Sequence, residues 1–158
     1  MNRPSVIKNF SGKYKFLSNF YTCKVTYNNI EYNHSEGAFQ AQKTLDEEQR
    51  KYIATLTASE SKRACGKRGF KIELRPDWLY DKVRNEVMYE VVKAKFVQNK
   101  DLAQRLLDTG GVELIEGNTW HDNYWGDCTC ERCKDIQGKN QLGVTLMQVR
   151  DELKQLNS

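Results

Sequence analysis

The sequence predicts an α+β protein that is mostly helical, with a small antiparallel β-hairpin or sheet near its N-terminus. Residues 14–33 are rich in aromatic and β-branched side chains, which favour strands. Farther along the chain, apolar side chains recur mainly at helical spacing. No strand–helix–strand alternation or glycine-rich phosphate motif accompanies them, so nothing in the sequence supports a Rossmann or P-loop fold. We expect one domain over residues 1–158, with its core at about 10–153.

The first predicted element is a β-hairpin. Val25 and Tyr27 alternate with polar residues before Asn28–Asn29, and Ile30 and Tyr32 do so after it. Two asparagines between such runs are typical of a tight hairpin turn.

Several helices are predicted after the hairpin. Thr57 and Glu60 have the spacing of a capping box, which marks a helix start. A long helix should follow the turn at Arg75–Trp78 and run to about Gln98, and Asp101 should cap the next one. The core-facing stripes are Val83, Val87, Val91 and Ala94 in the long helix, and Leu142, Leu146, Val149 and Leu153 in the last.

Composition limits the class of protein. The 25 basic and 21 acidic residues give a net charge of +4, which is weak for a dedicated DNA-binding protein and suits an anionic small molecule. No apolar run is long enough to span a membrane, and residues 1–10 do not resemble a secretion signal. We therefore expect a cytoplasmic protein with no membrane partner.

The segment Asn33–Asp46 carries the candidate chemistry. It is predicted to form an amphipathic helix with a polar stripe of Glu36, Gln40, Lys43 and Glu47 and an apolar stripe of Ala38, Ala41 and Leu45. Spacing alone favours a solvated helix, in which Glu36, three residues after Asn33, completes a capping box. The alternative is that Glu36 and Lys43 line an aromatic cleft and perform acid–base or covalent chemistry.

Four blocks of sequence resemble, in order, the signature blocks of the NADAR/YbiA-like family. They are "FLSNFY", "VTYNNIEYNHSEGAFQAQKTLD", "GNTWHDNYWGDC" and "GKNQLGVTLMQVRDEL", and the resemblance runs from about Phe10 to Leu153. Members of that family cleave N-glycosidic bonds to ribose, in riboflavin-pathway intermediates or in ADP-ribosyl groups, including those on guanine. The resemblance implies a YbiA-like fold and an N-glycosidase. Its substrate would be ADP-ribosyl, including ADP-ribosyl-guanine on nucleic acid, or phosphoribosylamino-pyrimidine.

The resemblance also implies catalytic roles for Glu36, Lys43 and Asp127. Cleavage of a ribosyl C–N bond builds positive charge on the sugar, so the two carboxylates would divide charge stabilisation and proton transfer, in an order left open. Lys43 would hold a phosphate or orient Glu36, or it would attack the anomeric carbon to form a Schiff base. Nearby Glu36 is expected to raise the pKa of Lys43 and oppose that attack.

Candidate substrate-binding residues come from the matched blocks and from side-chain chemistry. They are Asn19, Phe20, Gln40, Arg63, Lys67, Trp120, Trp125 and Asn140. The aromatic rings could stack on a base, although a single aromatic residue more often packs in a core. Arg63, Lys67 and Arg68 could hold phosphates, although a run of charges is more often a solvated face. Gly37–Ala38 replaces the His-Tyr of riboflavin-pathway members, which favours the ADP-ribose branch.

The loop after residue 118 contains Cys128, Cys130 and Cys133, with His121 nearby. Four such ligands could close a tetrahedral zinc site that staples the loop. The single C-x-C-x-x-C pattern is a weak signal, so free thiols are favoured and no cofactor is expected. The total of five cysteines argues against a disulfide framework.

Two other functions remain open from the sequence. One is a non-catalytic module that binds ADP-ribose or another nucleotide in the same pocket. It would have no turnover that depends on Glu36 and Asp127. A zinc-stapled nucleic-acid-binding protein would bind duplexes with a steep salt dependence.

Overall fold

The structure is a computed structural model that describes residues 5–66 and 72–157. In chain order its strands are β1 (Val6–Lys8), β2 (Thr22–Tyr27), β3 (Ile30–His34), β4 (Glu113–Ile115), β5 (Gly117–Asn118) and β6 (Asp127–Cys128). Its α-helices are α1 (Ser35–Ala41), α2 (Glu47–Ile53), α3 (Ala58–Ala64), α4 (Asp81–Gln98), α5 (Lys100–Leu107) and α6 (Gln141–Leu156). Short 3-10 helices lie at Gly12–Leu17 and Glu131–Cys133. The predicted α+β, mostly helical class is confirmed.

The chain divides into two compact units, which are described separately. One is Asn19–Lys100, and the other joins the residues up to Ser18 with those from Asp101 onward. The expectation of one domain over residues 1–158 stays a prediction. Among the helices of the described ranges, none is both long and apolar enough to cross a bilayer.

The Asn19–Lys100 unit is built on the predicted hairpin. Antiparallel β2 and β3 pair Val25 with Tyr32 and Tyr27 with Ile30. Asn28 and Asn29 turn the chain at φ +50° and +67°, the left-handed region that a tight hairpin turn requires. The buried faces of Val25 and Tyr32 join the core beneath α4, which has the predicted C-terminal end at Gln98.

Helix α1 differs from its prediction in length and in environment. It ends at Ala41, so Leu45 lies beyond it and is 63% exposed. Its N-cap is His34, whose Nδ1 accepts a hydrogen bond from the Gly37 amide at 2.9 Å. Glu36 is therefore inside the helix, and the capping box with Asn33 is wrong. The prediction from spacing that α1 has a solvated polar face is also wrong, because all seven of its residues are buried among the hairpin, α2, α3 and α4.

The capping box at the start of α3 is confirmed. The Thr57 hydroxyl accepts from the Glu60 amide at 3.1 Å, and the Glu60 carboxylate accepts from the Thr57 amide at 3.1 Å.

We expect Thr57→Ala to lower the free energy of unfolding by about 1 kcal/mol, because it leaves a helix-start amide without its partner. Urea unfolding measures this change. Ser59→Ala, which removes an exposed hydroxyl from the same helix, is the control, and an equal loss in both variants would contradict the assignment.

In the other unit, two parallel strand pairs organise the chain. Ile7 of β1 pairs with Leu114 of β4, and Asn118 of β5 pairs with Cys128 of β6. Helix α6 has the predicted buried stripe and approaches β4 closely. A Cβ on Gly143 would lie 2.1 Å from the Leu114 carbonyl oxygen, so the approach requires glycine at that position.

Candidate active site

Glu36 is the central side chain of the candidate site and lies in the core of the Asn19–Lys100 unit. It is only 8% exposed, and its backbone amide donates to the Asn19 carbonyl oxygen at 2.9 Å. Its Oε1 accepts a hydrogen bond from Gln40 Nε2 at 2.9 Å. Burial raises the pKa of Glu36, against the opposing effects of the Gln40 hydrogen bond and of nearby Lys62 and Lys43. The site therefore favours the protonated carboxyl.

Lys43 follows α1 and carries the complementary group. Its Nζ donates to the Cys65 carbonyl oxygen at 3.3 Å and lies 6.0 Å from the centroid of the Trp78 ring. Burial lowers the pKa of Lys43. Glu36 acts in the opposite direction, as the sequence argument expected, but burial outweighs it. The expected net increase is therefore wrong, because the net shift of the Lys43 pKa is downward.

The pKa of Glu36 leads to a stability prediction for Glu36→Gln. A buried carboxyl with a raised pKa contributes most stability below its unfolded value of about 4.5, and this contribution is lost as the pH rises through the folded pKa. A glutamine side chain does not ionise, so it carries no cost of a buried charge. The variant should therefore gain stability relative to the wild type as the pH rises from below 4.5 to above neutrality. Urea unfolding across that range measures the difference. Exposed Glu47→Gln is the control, and a difference that does not change with pH would refute the burial argument.

Asn19, a predicted substrate-binding residue, holds the start of α1. Its Oδ1 accepts from the Ser35 hydroxyl at 2.9 Å, and its Nδ2 contacts Met88 Sδ at 3.4 Å. Together with its carbonyl contact to Glu36, these bonds fix the position of the catalytic candidate. Substrate contact by Asn19 stays a prediction.

Gln40 presents a buried acceptor. Its amide nitrogen is used by Glu36, while its Oε1 finds no hydrogen-bond donor among the described residues. A buried carbonyl oxygen without a donor is costly, so such a group is a candidate for a ligand hydroxyl or amine. Phe39 and Trp78 form an aromatic contact beside this region, with ring centroids 5.3 Å apart.

Lys62 is a site residue that the sequence analysis missed. It interacts electrostatically with both Glu36 and Lys43, and its Nζ lies 5.9 Å from the centroid of Phe20. Phe20 is 42% exposed, so this pair offers an aromatic face and a cation to solvent. The sequence did contain a signal for its position, because residue 62 lies four after Ala58, which is buried, and so shares a helix face with it.

The other two basic candidates have different positions. Arg63 is exposed in the last turn of α3, and Lys67 lies outside the described residues, as does Arg68. Phosphate binding by Arg63 and Lys67 stays a prediction.

Asp127 and Asn140 lie in the other unit and make structural contacts there. Asp127 Oδ1 accepts from the Gly138 amide at 2.9 Å, and Oδ2 lies 3.4 Å from Lys8 Nζ. Asn140, at φ +51°, accepts from the Glu116 amide at 2.9 Å and donates to the Leu114 carbonyl oxygen at 2.8 Å. These bonds position the start of α6, and functional contacts by either residue stay predictions.

The two candidate tryptophans occupy one loop of that unit. Trp120 is 58% exposed. Trp125 packs edge-on against Tyr124 at 4.8 Å, and its amide donates to Asp122 Oδ1 at 2.9 Å. Stacking of either ring on a base stays a prediction.

The same loop brings His121, Cys128, Cys130 and Cys133 together. One ligand atom from each lies within 4.8 Å of all the others.

Comparison with known proteins identifies the family. The model of the NADAR domain family matches residues 7–154. The chain belongs to the NADAR family. This NADAR protein is 35% identical to N-glycosidase YbiA of Escherichia coli (strain K12) over 143 residues, which cover 90% of this chain and 84% of that protein. The NMR structure of E. coli YbiA matches it with a TM-score of 0.80 and 32% identity, covering 99% of this chain and 89% of that one.

A second relative is much longer. The chain is 38% identical, over 98% of its length, to riboflavin biosynthesis protein VVA0006 of Vibrio vulnificus (strain YJ016), but it spans 40% of that protein. These matches confirm the family that the four sequence blocks indicated.

Proposed function

We propose that this NADAR protein is an N-glycosidase that hydrolyses an N-ribosidic bond. The observation that carries the proposal is the combination of buried Glu36 and half-buried Lys43, which interact electrostatically and whose pKa values burial shifts in opposite directions. A carboxyl with a raised pKa and an amine with a lowered pKa suit proton transfer and nucleophilic attack in the cleavage of a C–N bond. The name N-glycosidase YbiA of the relatives supports the same reaction.

Glu36 supplies the proton in this proposal. As the bond between the anomeric carbon and the base nitrogen breaks, positive charge builds on the sugar and the leaving nitrogen takes the carboxyl proton. Water then adds to the anomeric carbon and returns a proton to the Glu36 carboxylate. The base leaves with one hydrogen, the sugar gains a hydroxyl, and the enzyme is regenerated.

Lys43 adds a covalent route. Its uncharged amine attacks the anomeric carbon and displaces the base, which takes the Glu36 proton. Ring opening gives a Schiff base between Lys43 and the sugar, and water hydrolyses it to the free aldehyde form of the sugar and the amine. The lowered pKa of Lys43 supports this route over simple phosphate binding.

The surrounding side chains suggest how a nucleotide would be held. The Gln40 carbonyl oxygen is available to a ribose hydroxyl. Lys62 can attract a phosphate, and the exposed ring of Phe20 can stack on a base. A role for Asp127 as a second carboxylate, which would stabilise charge on the sugar, stays a prediction from the sequence.

We place the ADP-ribosyl class first among substrates, with phosphoribosylamino-pyrimidines second. Gly37–Ala38 supports that order. Mass spectrometry of the pure protein incubated with each substrate, ADP-ribosylated guanine DNA and a phosphoribosylaminouracil, tests the proposal. Release of ADP-ribose or ribose 5-phosphate identifies the branch. Binding of ADP-ribose without release from either substrate would replace the enzyme with a binding module.

A further inference from the structure

The strongest unassigned cluster lies in residues 121–133, which are not part of the Asn19–Lys100 unit that contains Glu36. It contains one imidazole and three thiols, from His121, Cys128, Cys130 and Cys133. His121 Nδ1 lies 3.2 Å from Cys130 Sγ and 3.6 Å from Cys133 Sγ. Zinc bonds of about 2.3 Å to sulfur and 2.0 Å to nitrogen would make tetrahedral edges of about 3.5–3.8 Å. The four atoms, all within 4.8 Å of one another, are close to that arrangement.

The backbone that carries the cluster is held by contacts independent of any metal. Cys128 lies on β6, paired with Asn118 of β5, and its amide donates to Asn123 Oδ1 at 2.9 Å. Asn118 Oδ1 accepts from the amides of Trp120 and Asp122, which flank His121. His121 itself has φ +70°, a left-handed conformation that is uncommon for a non-glycine residue. These contacts hold the four candidate ligand residues close together, so zinc binding needs little rearrangement of the loop.

Two backbone N–H groups are directed at the Cys128 sulfur. Cys128 Sγ accepts from the His121 amide at 3.3 Å and from the Cys130 amide at 3.5 Å. Two N–H groups directed at one sulfur stabilise a thiolate, the form that binds a metal. Cys130 and Cys133 bracket a single 3-10 turn, in which the Cys133 amide donates to the Cys130 carbonyl oxygen at 3.0 Å.

We propose that His121, Cys128, Cys130 and Cys133 form a structural zinc site. Three soft thiolates and an imidazole select zinc over magnesium or calcium. Four protein ligands fill a tetrahedral shell, so the ion has no open position for substrate or catalytic water. Its role is to fix the loop that joins β5 to α6, including Asp127, which directly precedes Cys128.

Zinc stoichiometry and affinity test the site without any activity measurement. The reduced, metal-free full chain is titrated with zinc against a chelating dye, and bound metal is counted by native mass spectrometry. We expect one zinc per chain in the wild type and in Cys23→Ser, a control cysteine in β2. Cys130→Ser and Cys133→Ser should each bind zinc at least about tenfold more weakly, whereas His121→Cys should retain one zinc.

Cobalt provides a measurement that needs no variant. The wild type loaded with Co²⁺ should show thiolate charge-transfer absorption and the intense visible bands of a tetrahedral ion. Wild type that is folded by circular dichroism but binds less than one zinc, or that gives an octahedral cobalt spectrum, overturns the proposal. Equal zinc affinity in Cys130→Ser, Cys133→Ser and the wild type also overturns it, as does a disulfide within the cluster in the zinc-treated reduced protein.

Discussion

Glu36→Gln is expected to lower kcat by about 10²–10⁴-fold, the range that general acid catalysis contributes. The amide can keep the size of the side chain and the hydrogen bond from Gln40 Nε2, but it cannot donate a proton to the leaving nitrogen. Substrate affinity should therefore change little, and single-turnover kinetics with a separate binding titration separates the two effects.

Glu47→Gln is the matched control for this experiment. Residue 47 is an exposed glutamate at the start of α2, so its amide variant should keep wild-type kcat. Equal turnover in Glu36→Gln, Glu47→Gln and the wild type would remove Glu36 from the mechanism. A large loss of affinity with unchanged kcat would make it a binding residue instead.

If turnover follows the covalent route, Lys43→Met is expected to lower kcat on the order of 10⁴-fold or more, as loss of a covalent nucleophile does in other enzymes. Lys43→Arg should not restore turnover, because a guanidinium stays protonated and cannot attack carbon. Borohydride added during turnover should trap a secondary amine on Lys43 in the wild type, which peptide mass spectrometry locates.

The arginine variant separates the two roles of Lys43. If the lysine only binds phosphate or orients Glu36, arginine should recover much of the activity, and no borohydride adduct should form. Exposed Lys51→Met, from α2, controls for loss of a surface charge. An adduct on another lysine, or full activity in Lys43→Met, would contradict the covalent route.

Local sequence signals predicted the elements whose side chains face one clear direction. The β2–β3 hairpin follows from alternating apolar residues around two asparagines, and α6 follows from its apolar stripe. Helix α1 differs from its prediction, because polar residues at helical spacing are expected to face water and these do not. In the buried helix α1, Glu36 and Gln40 pack within the protein, and no period in the sequence distinguishes that from a solvated face.

Long-range features had even less local signal. Strand β1 has three residues and pairs with β4 more than a hundred positions away, so its partner could not be read from its own sequence. The relative contributions of burial and of neighbouring charge to the pKa of Lys43 also could not be judged without the fold. The neighbouring Glu36 was visible in the sequence, whereas the burial that overcomes its effect on the pKa was not.

The most direct test of the account is to measure release of the base and the sugar together over many turnovers. Wild type, Glu36→Gln and Glu47→Gln are incubated with the ribosylated substrate that the wild type accepts, or with both classes in parallel. The wild type and Glu47→Gln should release equal molar amounts of free base and ribosyl product, and Glu36→Gln should release almost none. Intact substrate in all three incubations, with the proteins folded and able to bind ADP-ribose, would contradict it.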